Sequence, residues 1–253
     1  MKRHLWILGV LWLAGTTLRA DDPKPAPTKG DPRAAALLQD AAKTRYTWSP
    51  DVTALSGKIA WEKDGQAGSG TFRSVLRKRG GLTITAEGDP QVPADLKDHV
   101  ASMISHRVPP APGTAERPQS PSVIVVEDEE RGPLILTVGD PMQSTQRVKD
   151  GKLVQVNRMM AGKRFTIDVT EFEKSPDGQR VYPAAFTVTW WDASTGKKIE
   201  KQHYTTHGFH LADGQMFPKS EKVVSEKDGK RSTLEITYSD IKFETAQSRA
   251  GSK

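Results

Sequence analysis

Phe165-Thr166-Ile167-Asp168-Val169-Thr170 alternates apolar and polar residues with a period of two. The same rhythm returns in Phe186-Thr187-Val188-Thr189-Trp190 and in Thr233-Leu234-Glu235-Ile236-Thr237-Tyr238. Successive side chains of a strand point to opposite faces, so each segment has one dry face and one wet face, as in an antiparallel sheet laid on a core. Turn chemistry separates these segments. Lys63-Asp64-Gly65-Gln66, Lys149-Asp150-Gly151-Lys152, Ser175-Pro176-Asp177-Gly178 and Lys227-Asp228-Gly229-Lys230 each place Asp-Gly where a hairpin needs positive φ. Ala161-Gly162 and Ala193-Ser194-Thr195-Gly196 act in the same sense. From Ala54 onward the chain reads as an antiparallel meander of ten or more strands.

Two helices interrupt that pattern. Asp31 is placed to cap the first, Pro32 suits its first turn, and Ala34, Leu37, Leu38, Ala41 and Ala42 form one apolar face through about Tyr46. Trp48 follows and Pro50 ends the segment. The second runs from Pro93 to Arg107 with Leu96, Val100, Met103 and Ile104 on one face. It stops at Pro109-Pro110, before a loop to Pro121 that carries Pro112, Gly113 and Pro118. Open sheets of this size curl or close. The expected class is therefore mainly β (α+β): a curved antiparallel meander or incomplete β-barrel with two helices covering its concave face. The expected domain plan is a signal peptide at 1–20, a disordered Pro-rich leader at 21–30, one β-rich domain at 31–245 and a disordered tail at 246–253.

Lys2, Arg3 and His4 followed by the apolar run Leu5–Ala14 have the anatomy of a signal peptide, and the run falls short of the ~20 apolar residues a membrane span needs. The expectation is an exported, soluble protein, periplasmic or extracellular, with no transmembrane segment after cleavage. Half of the formal charge of +6 resides in Lys2, Arg3 and Arg19. The remaining basic residues sit beside acidic ones, as in Glu127-Asp128-Glu129-Glu130-Arg131, and Arg77-Lys78-Arg79 reads as a strand end entering a turn. No basic stripe with interleaved aromatics points to nucleic acid. The 253 residues contain no cysteine, which excludes a disulfide scaffold, a thiolate metal site and a cysteine nucleophile.

His203, His207 and His210 form the one histidine cluster in the sequence. On a strand His203 and His207 share a face but lie about 13 Å apart along the backbone, too far for one ion, and His210 falls past Gly208 on a turn. His106-Arg107 closes the second helix, where cations suit the helix dipole, and His106 is also a candidate acid–base residue. The run Gly65–Gly70 precedes a strand and so lacks the helix N-terminus that would hold phosphate. Trp190-Trp191 puts neighbouring indoles on opposite faces, one of them expected to be buried.

Several segments carry a resemblance. Arg45-Tyr46-Thr47-Trp48, His106-Arg107, Gly139-Asp140-Pro141-Met142, Val154-Gln155-Val156-Asn157-Arg158, Arg164-Phe165-Thr166-Ile167 and Phe186-Thr187-Val188-Thr189-Trp190-Trp191-Asp192 with Thr195-Gly196 resemble the bacterial family known as domain of unknown function 3386, over about residues 32 to 243. The closing pattern, Met216-Phe217-Pro218-Lys219 leading to Leu234–Phe243, is similar to the final hairpin of periplasmic lipoprotein carriers and their sorting relatives. That resemblance implies an incomplete barrel whose helices lid an apolar cavity for acyl chains.

Two short helices cannot seal so large a sheet, which leaves an apolar groove of the kind ligands occupy. The expected function is non-enzymatic binding of a lipid or other apolar ligand, with no cofactor. Leu96, Val100, Met103 and Ile104 are the candidate lid, and Phe165, Ile167, Phe186, Val188 and Trp190 the candidate wall. The alternatives are a structural envelope module whose protein partner docks on an edge strand or on Trp191, and a hydrolase or metal enzyme using His106 or His203/His207.

Overall fold

In the computed structural model the elements follow in the order α1 (Pro32–Thr44), β1 (Val52–Lys63), β2 (Gln66–Val75), β3 (Leu82–Ala86), α2 (Ala94–Ser105), β4 (Ser122–Val126), β5 (Leu134–Thr137), β6 (Thr145–Lys149), β7 (Lys152–Met160), β8 (Lys163–Lys174), β9 (Val181–Asp192), β10 (Lys198–Ala212), β11 (Gln215–Lys227) and β12 (Lys230–Thr245). The structure describes residues 29–76, 81–87, 91–109 and 120–246. The signal peptide, most of the leader and tail, the basic cluster Arg77-Lys78-Arg79 and the loop with Pro112, Gly113 and Pro118 lie outside them.

All twelve strands form one antiparallel sheet in the order β3-β2-β1-β12-β11-β10-β9-β8-β7-β6-β5-β4. β3 and β4 end it without pairing to each other, so the sheet is curved but not closed into a barrel. The Asp-Gly pairs do what their chemistry requires: Asp64-Gly65, Asp150-Gly151 and Asp228-Gly229 all adopt positive φ between adjacent strands. One turn differs from expectation. β10 does not end at Gly208 but runs on to Ala212, so His210 is a strand residue, and the hairpin is made by Asp213-Gly214 with φ of 50° and 73°. Gly208 supplies a local kink, φ 67°, inside the strand.

Both helices lie on the concave face. α1 begins with the Asp31 carboxylate accepting from the Arg33 amide at 2.8 Å and with Pro32 in its first turn. Its apolar side packs Ala34 and Ala41 on Ile135 and Val148, near the β4 edge. α2 packs at the other end on the larger core, which includes Leu55, Ile59, Phe72, Phe217 and Ile236. The Gly65–Gly70 run is explained by packing. The Trp61 ring lies over Gly68, where an added Cβ would come within 2.5 Å of it, and at Gly70 a Cβ would stand 2.1 Å from the Thr85 carbonyl of β3.

Residues 45–49 cross from α1 to β1 as a strap. Its anchors are aromatic. Trp48, 1% exposed, donates Nε1–H to the Met216 carbonyl at 2.9 Å and meets Phe243 edge-on at 5.3 Å. The Tyr46 hydroxyl accepts from the Met216 amide at 2.7 Å. The strap is also sewn to β9 and to the end of α2 through Tyr46 N–H to Val181 O (2.8 Å) and Trp48 N–H to Arg107 O (2.9 Å).

Candidate functional site

Between the two helix-covered ends, the middle of the concave face carries apolar side chains that belong to neither core. Strand register fixes which side chains share that face. Phe165 stands opposite Trp190, Ile167 opposite Val188 and Val169 opposite Phe186 across β8 and β9. Phe186 continues to Tyr204 and Val188 to Gln202 on β10. The rings touch: Phe165–Trp190 centroids are 4.8 Å apart and Phe186 stacks on Tyr204 at 4.6 Å. Tyr204 stacks in turn on His99 of α2 at 5.4 Å, which ties this row to the face that α2 covers.

All five candidate wall residues thus come together in register. Val188 is buried by its neighbours, while Phe165, Ile167, Phe186 and Trp190 are partly buried. The four candidate lid residues take a different place. Leu96, Val100, Met103 and Ile104 are all buried in the core between α2 and the sheet. They hold the helix down on packed side chains, and the open strip lies beside α2, not beneath it. Trp190 and Trp191 also depart from expectation: neither indole is fully buried, because no helix covers either face of β9 at that end.

A polar cluster beneath α2 escaped the sequence reading. Glu221, on the concave side of β11, is buried. Its carboxylate accepts from His99 Nε2 at 3.1 Å and from the Tyr238 hydroxyl at 2.9 Å. Burial alone would push this carboxyl up, but His99, Arg107 and the Tyr238 hydrogen bond outweigh it and hold it below the usual carboxylate range. Tyr238 moves the other way, well up, through its own burial and the charge of Glu221. Tyr204 is pushed up to about 12, mainly by burial and then by Glu200 and Glu221.

Arg107, just past the C-cap of α2, is buried as well. Its guanidinium lies 4.0 Å from the Tyr182 ring centroid, one Nη donates to the Met103 carbonyl, and its Nε has no partner. Burial lowers its pKa to about 10, with Glu221 the largest opposing influence. The arrangement holds the C-terminal end of α2 against the sheet through charge and ring contacts as well as through apolar packing.

The histidines do not converge. His203 is exposed on the opposite face and pairs with Thr187 at 3.2 Å, His207 is exposed, and His210 donates to the Tyr238 carbonyl at 2.8 Å. His106 is the exposed C-cap residue of α2. Among the described residues no three His, Asp or Glu side chains gather as metal ligands, and no helix is long and apolar enough to cross a membrane. The acidic run at 127–130 is bound into the surface. Asp128 accepts from the Arg131 amide at 2.7 Å and from Arg147 at 3.1 Å, and Glu127 pairs with Arg33.

The family model described as protein of unknown function DUF3386 matches residues 29–243, and the chain belongs to that family. No curated protein matches it in sequence. Among solved structures it is similar to a DUF1329 family protein from Desulfovibrio piger, at 10% identity and a TM-score of 0.28, over 87% of this chain and 94% of that one. It is similar also to a LolA superfamily protein from Nitrosomonas europaea, at 10% identity and a TM-score of 0.31, over 87% of this chain and 97% of the other.

Proposed function

We propose that this DUF3386 member is an exported, non-enzymatic binding protein that holds a lipid or another ligand with an apolar chain on the open strip of its concave face. The observation that carries the reading is the in-register row of Phe165, Ile167, Phe186, Val188 and Trp190, which lies outside the cores that α1 and α2 seal. The apolar face of a sheet is normally sealed by a helix or a second sheet, and a contiguous apolar row left outside such a seal marks a binding surface. The strip is an open trough whose floor is strand, so an extended chain fits it better than a compact molecule. Its α2 flank is stiffened by the Glu221 cluster. Export rests on the signal-peptide anatomy of residues 1–20.

The test is lipid extraction of the protein purified from its native host, followed by mass spectrometry, together with uptake of a fluorescent fatty acid by wild type and by Trp190→Ala. A co-purifying amphiphile, with uptake weakened at least severalfold in the variant, supports the reading. No bound amphiphile and no uptake would remove it.

A second reading is favoured by one observation at the far edge. β4, paired on one side only with β5, ends the sheet, and Val125 and Val126 on it are 47% and 45% exposed. An exposed apolar edge is a template for an added strand from a protein partner. Val125→Lys would abolish such an interaction and leave fatty-acid uptake unchanged.

A further inference from the structure

Two guanidinium side chains and one imidazole, from segments far apart in sequence, gather beside the strip. Arg45 opens the strap and is held in place by its backbone bridge to Val181. His106 caps α2, whose next residue, Arg107, gives its carbonyl to Trp48 of the strap. Arg158 lies on β7 in register with Phe165, so it shares the face of the apolar row, and its Nε is buried without a hydrogen-bond partner.

Their proximity shows in their electrostatics. Arg45 is lowered by loss of hydration and then by Arg158; His106 is lowered by loss of hydration and then by Arg107, is opposed by its hydrogen bond to the Ser102 carbonyl, and feels Arg45 and Arg158 more weakly. Arg45 and His106 nonetheless remain accessible to solvent. None of Arg45, His106, Arg107 or Arg158 makes an ion pair among the described residues.

The carboxylates in reach are already engaged. Asp140, near Arg158, accepts from the amides of Met142 and Ser144 at 3.0 and 3.1 Å. Glu221 is bound to His99 and Tyr238. Glu200, opposite Trp190, accepts from Gln202 at 2.8 Å. Like charges crowded together destabilise a fold unless something brings an opposite charge.

From this convergence we infer that Arg45, His106 and Arg158 form the head-group site of the groove and select an amphiphile with an anionic head, a phosphate or carboxylate, whose chain lies along Phe165, Ile167 and Trp190. The inference rests on the groove reading and adds the ligand's charge. Guanidinium groups suit such a head because their N–H forks match phosphate and carboxylate oxygens in charge-assisted hydrogen bonds.

The experiment compares 1-oleoyl lysophosphatidic acid with 1-oleoylglycerol, which share one acyl chain, and with inorganic phosphate. Binding to the full chain and to Arg45→Gln/Arg158→Gln is measured by calorimetry at pH 7, below the micellar range of both lipids. Wild type should prefer the acidic lipid by about tenfold or more, the worth of one net charge-assisted hydrogen bond. In the double variant the ratio of the two dissociation constants should fall to near one. A matched fold by circular dichroism would show that the change is local, and Arg45→Lys/Arg158→Lys, which keeps the charge, should recover most of the preference. Equal wild-type affinity for the two lipids would overturn the head-group site and leave the groove reading standing, and binding of neither would overturn both. Inorganic phosphate bound as tightly as the acidic lipid would mean a free-anion site and would also refute the inference.

Discussion

Glu221→Ala probes the cluster that fastens α2 to the sheet. The carboxylate is 7% exposed, accepts hydrogen bonds from His99 and Tyr238, and is the chief counter-charge felt by Arg107. Truncation strands the buried Tyr238 hydroxyl, which costs about 1–3 kcal/mol. It also leaves the buried guanidinium uncompensated, and losing one partner of a directly bonded buried pair costs about 3–5 kcal/mol. Glu221 acts on Arg107 without a direct ion pair and the two losses overlap, so the combined effect is about 3 kcal/mol. For a domain of this size that lowers Tm by roughly 6–12 °C. Thermal and urea unfolding followed by circular dichroism measure it, with Glu221→Gln, which keeps an acceptor oxygen, falling in between. A loss below about 1 kcal/mol for the alanine variant would refute the reasoning.

The same carboxylate sets an acid limb: its folded pKa is depressed, so its stabilisation is present above the unfolded value of about 4.3 and is lost as pH falls below it. Urea midpoints from pH 6 down to pH 3 should therefore fall less steeply in Glu221→Gln than in wild type. Tyr238 has the opposite sense. Its folded pKa is raised, so stability is complete below the unfolded value of about 10 and declines as pH rises beyond it, and Tyr238→Phe should flatten that alkaline decline. Gly70→Ala should cost about 2 kcal/mol or more, because the new Cβ meets the Thr85 carbonyl at 2.1 Å, whereas Gly162→Ala, with open space and φ 73°, should cost about 1 kcal/mol. Urea unfolding of the two variants checks both, and equal costs would contradict the packing account.

The meander was legible because two local signals agreed, period-two alternation and Asp-Gly at the turns. The exception is instructive. Gly208 looked like a strand end, yet Asp213-Gly214 five residues later carries the stronger hairpin chemistry, and β10 tolerates Gly208 as a kink. Helical periodicity identified the inward face of α2 but not what that face meets, so Leu96, Val100, Met103 and Ile104 read equally well as lid or as core. The Glu221 cluster joins residues 122 and 17 positions apart, beyond any local pattern. One trace was available: His99 lies three residues after Leu96 and four before Met103, on the buried side of the helix. A polar residue on that side needs a partner, and Glu221 shares its strand face with Val223.

Photo-crosslinking with a diazirine fatty acid, followed by peptide mapping, tests the groove most directly. Label concentrated on β7, β8 and β9, around Phe165, Ile167 and Trp190, is the predicted result. Label confined to the β4 edge around Val125, or spread without preference over the surface, would contradict it.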